Sequence, residues 1–261
     1  MPPRRPELDA LAIARLYDVM RGGYHGRAAD KELAARIEDQ FPGTAQTILD
    51  ADAFHRRAAV LAVTAGGADG VLFGASGFPL RGEPQLHQDA ARADPAARFG
   101  YASGSDVIRA LTARELKDDE RAAAFYASAR DPAGLLGSPE AAAVGSPVSV
   151  HLPLVLHFWP ADFAAWAVSE YGRLLRERGP GSSLVLSLRL DGGNGQYARL
   201  LADAGIRVHG HTAADVAGWI AAAGMTPDPR GVTDVRAWGR PWGTLREPPA
   251  GVMAGAVAVV P

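Results

Sequence analysis

The chain predicts an α/β fold, an open and mostly parallel sheet with helices on both faces. Three observations point there. From residue 45 onward, helical and strand-like segments alternate along the 261 residues. The run Asp69-Gly70-Val71-Leu72-Phe73-Gly74-Ala75-Ser76-Gly77 reads as a short buried strand entering a tight glycine turn. Such a turn after the first strand of an open sheet is where a nucleotide-like ligand lies. Finally, residues 238–246 and 252–260 read as two late strands joined by a proline-rich loop, an antiparallel edge on a parallel sheet.

The elements follow in order. Leu8, Leu11, Ile13, Leu16, Val19 and Met20 have helical spacing over 8–21, and Gly22-Gly23 stops that helix. Further helices are expected over 28–40, ending before Pro42, and over 45–65, ending at Gly66-Gly67. The first strand covers 70–74, a second 99–102, and a helix follows over 106–117. A third strand is expected over 125–129 and a β-rich run over 147–152. Beyond it come a helix over 161–178, a buried strand over 183–190 and a helical segment over 196–204. A last helix spans 212–223, with Thr212 as N-cap and Asp215 closing a capping box.

Composition narrows the function classes. Apolar residues make up 48%, enough for a sizeable core, and the formal net charge is -2, which gives no basic surface for nucleic acid or an anionic membrane. There is no Cys, so thiolate metal sites and cysteine nucleophiles are excluded. The first residues lack the apolar stretch of a secretory signal, and the longest apolar runs are too short to span a bilayer. The expectation is a cytoplasmic protein. None of the seven histidines has the spacing of helical metal ligands, so no metal site is expected.

Four stretches then resemble one family. They are Ala14-Arg15-Leu16-Tyr17-Asp18 through Gly22-Gly23 with Ala28-Ala29-Asp30, Ala53-Phe54-His55-Arg56-Arg57-Ala58, Arg130-Asp131-Pro132 with Pro139-Glu140, and Leu156-His157-Phe158-Trp159-Pro160. In this order they resemble the actinobacterial S-adenosylmethionine-dependent methyltransferase family first catalogued as a domain of unknown function. The resemblance implies a class I methyltransferase-like, seven-stranded sheet with an N-terminal helical extension over the cofactor. It divides the chain into a helical cap (1–66) and an α/β domain (67–261), forming one unit. It also implies pocket positions at Tyr17, Arg21, Ala75, Gly77, Ser103, Asp106 and Ser128.

The departures from the family pattern fall on its acids. Where the family's first strand ends in "LDxGxG", this chain has Leu72-Phe73-Gly74-Ala75-Ser76-Gly77, with Phe73 for the Asp and Ala75 for the first glycine. The acid that grips the ribose is matched by Ser103, with Asp106 three residues beyond as either a substitute or a helix cap. The Asp near the adenine is matched by Ser128. A hydrogen bond to a charged group contributes about 1.5–3 kcal/mol, so losing the ribose carboxylate alone weakens binding about ten- to a hundredfold. Arg21 and Arg27 stand where the family has neutral residues, which suits an anion.

Two histidines are candidates for catalysis. His157 matches the family's histidine after the fourth strand, either at the mouth of the site or shaping its loop. His151 stands in a buried strand, as a hydrogen-bonded core residue or as an acid/base group. His209 and His211 flank Gly210 and read as surface turn residues. Three functions remain. The first is a methyltransferase-fold protein with a degenerate cofactor site, acting as a binding or regulatory module for a small molecule, beside a protein partner or a second copy of the chain. The second is an active S-adenosylmethionine-dependent methyltransferase acting on a small molecule. The third is an enzyme without this cofactor, using His151 or His157 in the old pocket.

Overall fold

The computed structural model describes residue 3 and residues 10–80, 84–191, 195–239 and 253–261. Three helices open the chain: α1 (Ala10–Met20), α2 (Ala28–Gln40) and α3 (Thr44–Thr64). The strands are β1 (Gly70–Gly74), β2 (Arg98–Ser103), β3 (Ala122–Tyr126), β4 (Val148–Leu152), β5 (Ser183–Arg189), β6 (Thr226–Pro227), β7 (Thr233–Asp234) and β8 (Met253–Val259). They form one sheet of order β3-β2-β1-β4-β5-β8-β6, with β7 also pairing with β8. β1 to β5 run parallel, while β8 lies antiparallel between β5 and β6. This is the class I methyltransferase topology, with β7 as an additional two-residue strand.

Alternation along β1 divides the core. Leu72 faces the cluster of Val148, Val150, Leu184 and Leu186, which packs on α8 (Ala161–Glu177) through Phe163, Val168 and Tyr171. Val71 and Phe73 point the other way, among Ala59, Phe99 and Tyr101. On that second face β4 and β5 depart from the apolar run expected of a buried parallel sheet. Ser149, His151, Ser183 and Ser187 are all buried there. They are satisfied by one another and by α3. His151 Nε2 and Ser149 Oγ lie 3.1 Å apart, Ser183 Oγ donates to Ser149 Oγ at 2.7 Å, and His55 Nε2 meets Ser187 Oγ at 2.8 Å. His55 and His151 share one proton between their Nδ1 atoms, 3.1 Å apart.

Several expectations are corrected. The third strand begins three residues earlier than its sequence suggests, because its register is set by pairing of Phe99 with Ala122 and Ser103 with Tyr126. Its alanines carry little β-preference of their own. Three short helices were not foreseen: α4 (Gln88–Ala93), α6 (Pro132–Leu136) and α7 (Pro139–Ala143), each too short for periodicity to register. Helices α5 (Asp106–Glu115), α9 (Gln196–Asp203) and α10 (Ala213–Ala222) stand within two residues of expectation. The capping box of α10 is present, with Thr212 Oγ accepting from Asp215 N at 3.1 Å and Asp215 Oδ2 accepting from Thr212 N at 2.8 Å. The strand expected over 238–246 falls mostly outside the described residues, and Trp238 itself sits in a turn, edge-on to Phe54. No helix among the described residues is long and apolar enough to cross a membrane.

Candidate functional site

Strand order reverses at β1, whose neighbours are β2 and β4. In an open α/β sheet the crevice beyond the carboxyl ends of such strands is where ligands bind. Here it is a cleft of about 110 Å³ floored by the loops after β1 to β4 and roofed by α1. Ala75, Ser76 and Gly77 follow β1, Ser103 and Gly104 end β2, Ser128 and Ala129 follow β3, and Pro153 to Val155 follow β4. Ile13, Ala14, Tyr17 and Arg21 come down from α1, and Phe158 and Trp159 close the apolar end. Tyr171 of α8 braces the floor by donating to Ala129 O at 2.9 Å.

The turn keeps a glycine-type backbone although one glycine is gone. Ala75 has φ 61° and Gly77 φ 75°, both in the left-handed region. Ala75 is held there because its N–H donates to Ala102 O at 3.1 Å, tying the turn to β2. A side chain in this region costs about 1–2 kcal/mol, while glycine adds about 0.5–1 kcal/mol of unfolded-state entropy. Ala75→Gly should therefore stabilise the fold by about 0.5–1 kcal/mol, read as a higher urea midpoint. An unchanged or lower midpoint would show that the turn is not strained. Phe73 leaves the cleft alone. Its ring lies beneath the turn, 4.9 Å from Tyr101 and 5.1 Å from His151.

The two serines that match family acids are both used locally. Ser103 Oγ accepts from Ser105 N at 3.1 Å, and Ser128 Oγ accepts from Arg130 N at 3.3 Å. Each hydroxyl still has a hydrogen to donate. Asp106 lies outside the cleft. It is the first residue of α5, well exposed, and paired with Arg109 at 3.3 Å, while Ser105 makes the N-cap. Asp106 therefore cannot replace the ribose acid from this position.

Arg21 is anchored from below. Its Nη2 pairs with Asp52 Oδ1 at 2.8 Å, with both side chains buried. The pair is incomplete, since Arg21 Nε and Asp52 Oδ2 are buried without partners. Burial raises the Asp52 carboxyl above its usual range against the pull of Arg21. Sequence alone gave no sign of Asp52, which stands among alanines on α3.

Neither candidate histidine lines the cleft. His151 is fully buried among His55, Ser149 and Phe73, and burial holds its pKa far below normal, with His55 adding to the effect. Of the two roles left open for it, its surroundings are those of a hydrogen-bonded core residue. His157 stands one layer behind the cleft, its Nε2 2.7 Å from the Tyr17 hydroxyl. Burial first, then Arg189 and His211, lower its pKa to about 3, so it is neutral. It holds Tyr17 rather than touching a ligand. His211 is also corrected. It is buried, and its Nε2–H donates to Leu156 O and Trp159 O, pinning the 3₁₀ turn (Leu156–Phe158) that carries His157. Among the described residues no three His, Asp or Glu side chains are grouped to hold a metal ion.

With this geometry in view, comparison with known proteins places the chain. The model of a family described as S-adenosyl methyltransferase matches residues 3–261. The chain belongs to that family. No curated protein matches it in sequence. Among solved structures, a DUF574 family protein from Streptomyces avermitilis is 25% identical, with a TM-score of 0.82 over 95% of this chain and 97% of its own. A candidate methyltransferase from Thermobifida fusca is 22% identical, with a TM-score of 0.81 over 95% and 94%. Magnesium protoporphyrin IX methyltransferase from Synechocystis, with bound SAH, shares the fold at 16% identity and a TM-score of 0.51 over 94% and 92%. In this S-adenosyl methyltransferase family member, Tyr17, Arg21, Ala75, Gly77, Ser103 and Ser128 surround one cleft, and of the seven positions the resemblance implied only Asp106 does not.

Proposed function

We propose that this family member has a degenerate cofactor site, holding S-adenosylmethionine weakly or not at all, and that its cleft serves a small molecule as a binding or regulatory module. One observation carries the reading: among the described residues that line the cleft there is no Asp or Glu, while Arg21 and Arg130 are both present. Among the described lining residues a sulfonium cation finds no counter-charge, and a ribose diol finds serine hydroxyls in place of a carboxylate. With each lost charged hydrogen bond weakening binding about ten- to a hundredfold, two such losses move a micromolar site toward millimolar.

Calorimetric titration with S-adenosylmethionine and S-adenosylhomocysteine tests it. Saturation only at millimolar ligand, or none, is expected. A micromolar Kd for either would overturn the reading.

A second reading, an active methyltransferase, is favoured by the turn backbone at Ala75 and Gly77, which keeps the left-handed geometry of a nucleotide turn. Methyl transfer depends chiefly on in-line placement of nucleophile and sulfonium, which proximity alone can provide. The same titration decides between the two.

A further inference from the structure

We propose that Arg189, at the carboxyl end of β5, recognises a carboxylate or phosphate group of a small molecule through the edge of its guanidinium, together with the hydroxyl of Tyr197. Neither residue lines the cleft described above, so this is a second site and goes beyond the reading of a weak cofactor site.

The argument begins with the strand. Arg189 is the last residue of β5 and pairs with Met253 of β8. It therefore stands at the edge of the sheet where ligands of open α/β folds bind. Its guanidinium sits in a corner made by two rings. Phe41, at the end of α2, meets Tyr197 of α9 edge-on, with centroids 5.5 Å apart. The guanidinium carbon lies 3.9 Å from the centroid of Tyr197 and 5.7 Å from that of Phe41. Stacking occupies the faces of a guanidinium, while its N–H donors lie in the plane and point outward from its edge. The rings thus fix the plane and leave the donors unused.

Among the described residues no oxygen takes those donors. Other half-buried arginines are answered. Asp30 pairs with Arg15, Asp119 with Arg121 and Asp234 with Arg236, while Arg57 and Arg178 donate to backbone carbonyls. Two acids close in sequence to the corner are engaged elsewhere. Glu38 accepts from the amides of Gly43 and Ala45, and Asp191 turns against Gly210. Arg189 is itself half-buried, and its charge bears on Tyr17, Tyr197 and His157, all of them neutral. The Tyr197 hydroxyl is likewise without a described partner, and burial raises its pKa, so it stays a donor. A charge drawn partly out of water is ordinarily paired. Here an anion from outside supplies the pair. The planar fork of a guanidinium matches the two oxygens of a carboxylate or a phosphate.

Titrations with benzoate and with inorganic phosphate test this, followed by nitrogen-15 NMR at the Arg189 Nε–H and the Tyr197 amide. Both signals should shift and saturate in the millimolar range or below. Saturation by benzoate assigns a carboxylate ligand, and saturation by phosphate alone assigns a phosphate ester. Arg189→Met, which keeps an apolar stem on the Tyr197 ring, should weaken binding about tenfold or more. Arg189→Lys keeps the charge without the planar fork and should recover only part of that loss. Tyr197→Phe keeps the ring, removes the hydroxyl and should weaken binding about two- to tenfold. Equal affinity in Arg189→Met would overturn the proposal, since the anion would then sit at another cation such as Arg21 or Arg130. Failure of both anions to move the Arg189 signal would overturn it too, leaving the arginine as a cover for the Tyr197 ring. Neither result bears on the weak-cofactor reading, which the S-adenosylhomocysteine titration decides by itself.

Discussion

Replacing Asp52 with alanine should destabilise the protein by about 3–5 kcal/mol, because it strands a buried guanidinium. Arg21 and Asp52 side chains are 5% and 1% exposed and meet at 2.8 Å. The pair is not an especially stable arrangement in itself. Arg21 Nε and Asp52 Oδ2 lack partners, so much of the desolvation cost is not recovered. Removing both charges should therefore be far milder than removing one. The double variant Arg21→Leu/Asp52→Leu should fall within about 1 kcal/mol of the parent, or above it. Urea unfolding of Arg21→Leu, Asp52→Leu and the double variant measures this coupling. If Asp52→Ala costs less than about 1 kcal/mol, the pair is not desolvated as the structure has it. The same pair keeps Arg21 over the glycine turn, so its geometry matters to the cleft as well as to the fold.

A steep loss of stability in mild acid is the second large effect expected. His55, His151 and His157 are buried and neutral, with pKa values of about 3 for His55 and His157 and far below normal for His151, each chiefly through burial. The unfolded chain titrates these rings near their ordinary value of about 6.5. Above that pH neither state binds the protons and stability is full. Below it the unfolded state gains protons that the folded state refuses, so stability falls from about pH 6.5 down to about 3. Each ring contributes about 1.4 kcal/mol per pH unit, and three together about 4. Two units of acidification then cost about 8 kcal/mol, comparable with the whole stability of a typical domain. Asp52 works the other way, its raised carboxyl recovering part of the loss as it protonates. Urea midpoints at pH 7.5, 6.5, 5.5 and 5.0 should fall progressively below 6.5. A flat profile between 6.5 and 5.5 would mean that these rings reach solvent.

The buried network behind this acid lability also marks how far sequence reading goes. A histidine in the middle of a strand is visible in the sequence, and so is the choice between a core role and a catalytic one. What decides it is His55, 96 residues earlier on α3, together with Ser149 and Ser187. Tyr17 and His157 are likewise 140 residues apart, and only the fold brings the phenol oxygen to 2.7 Å from the imidazole Nε2. Asp106 shows the opposite limit. A helix N-terminus was legible there, but the direction of the side chain was not, and it turns outward to Arg109.

The chain by itself determined the alternating order of helices and strands, the glycine turn after β1, the antiparallel edge and the Thr212–Asp215 cap. These are local properties, written in apolar periodicity, turn chemistry and short-range hydrogen bonds. Tertiary structure alone decided the register of β3, the inward burial of His211, the Arg21–Asp52 pair and the outward turn of Asp106. Each of these depends on which distant segments the sheet brings together, and burial sets the energy of a polar group only once those neighbours are in place.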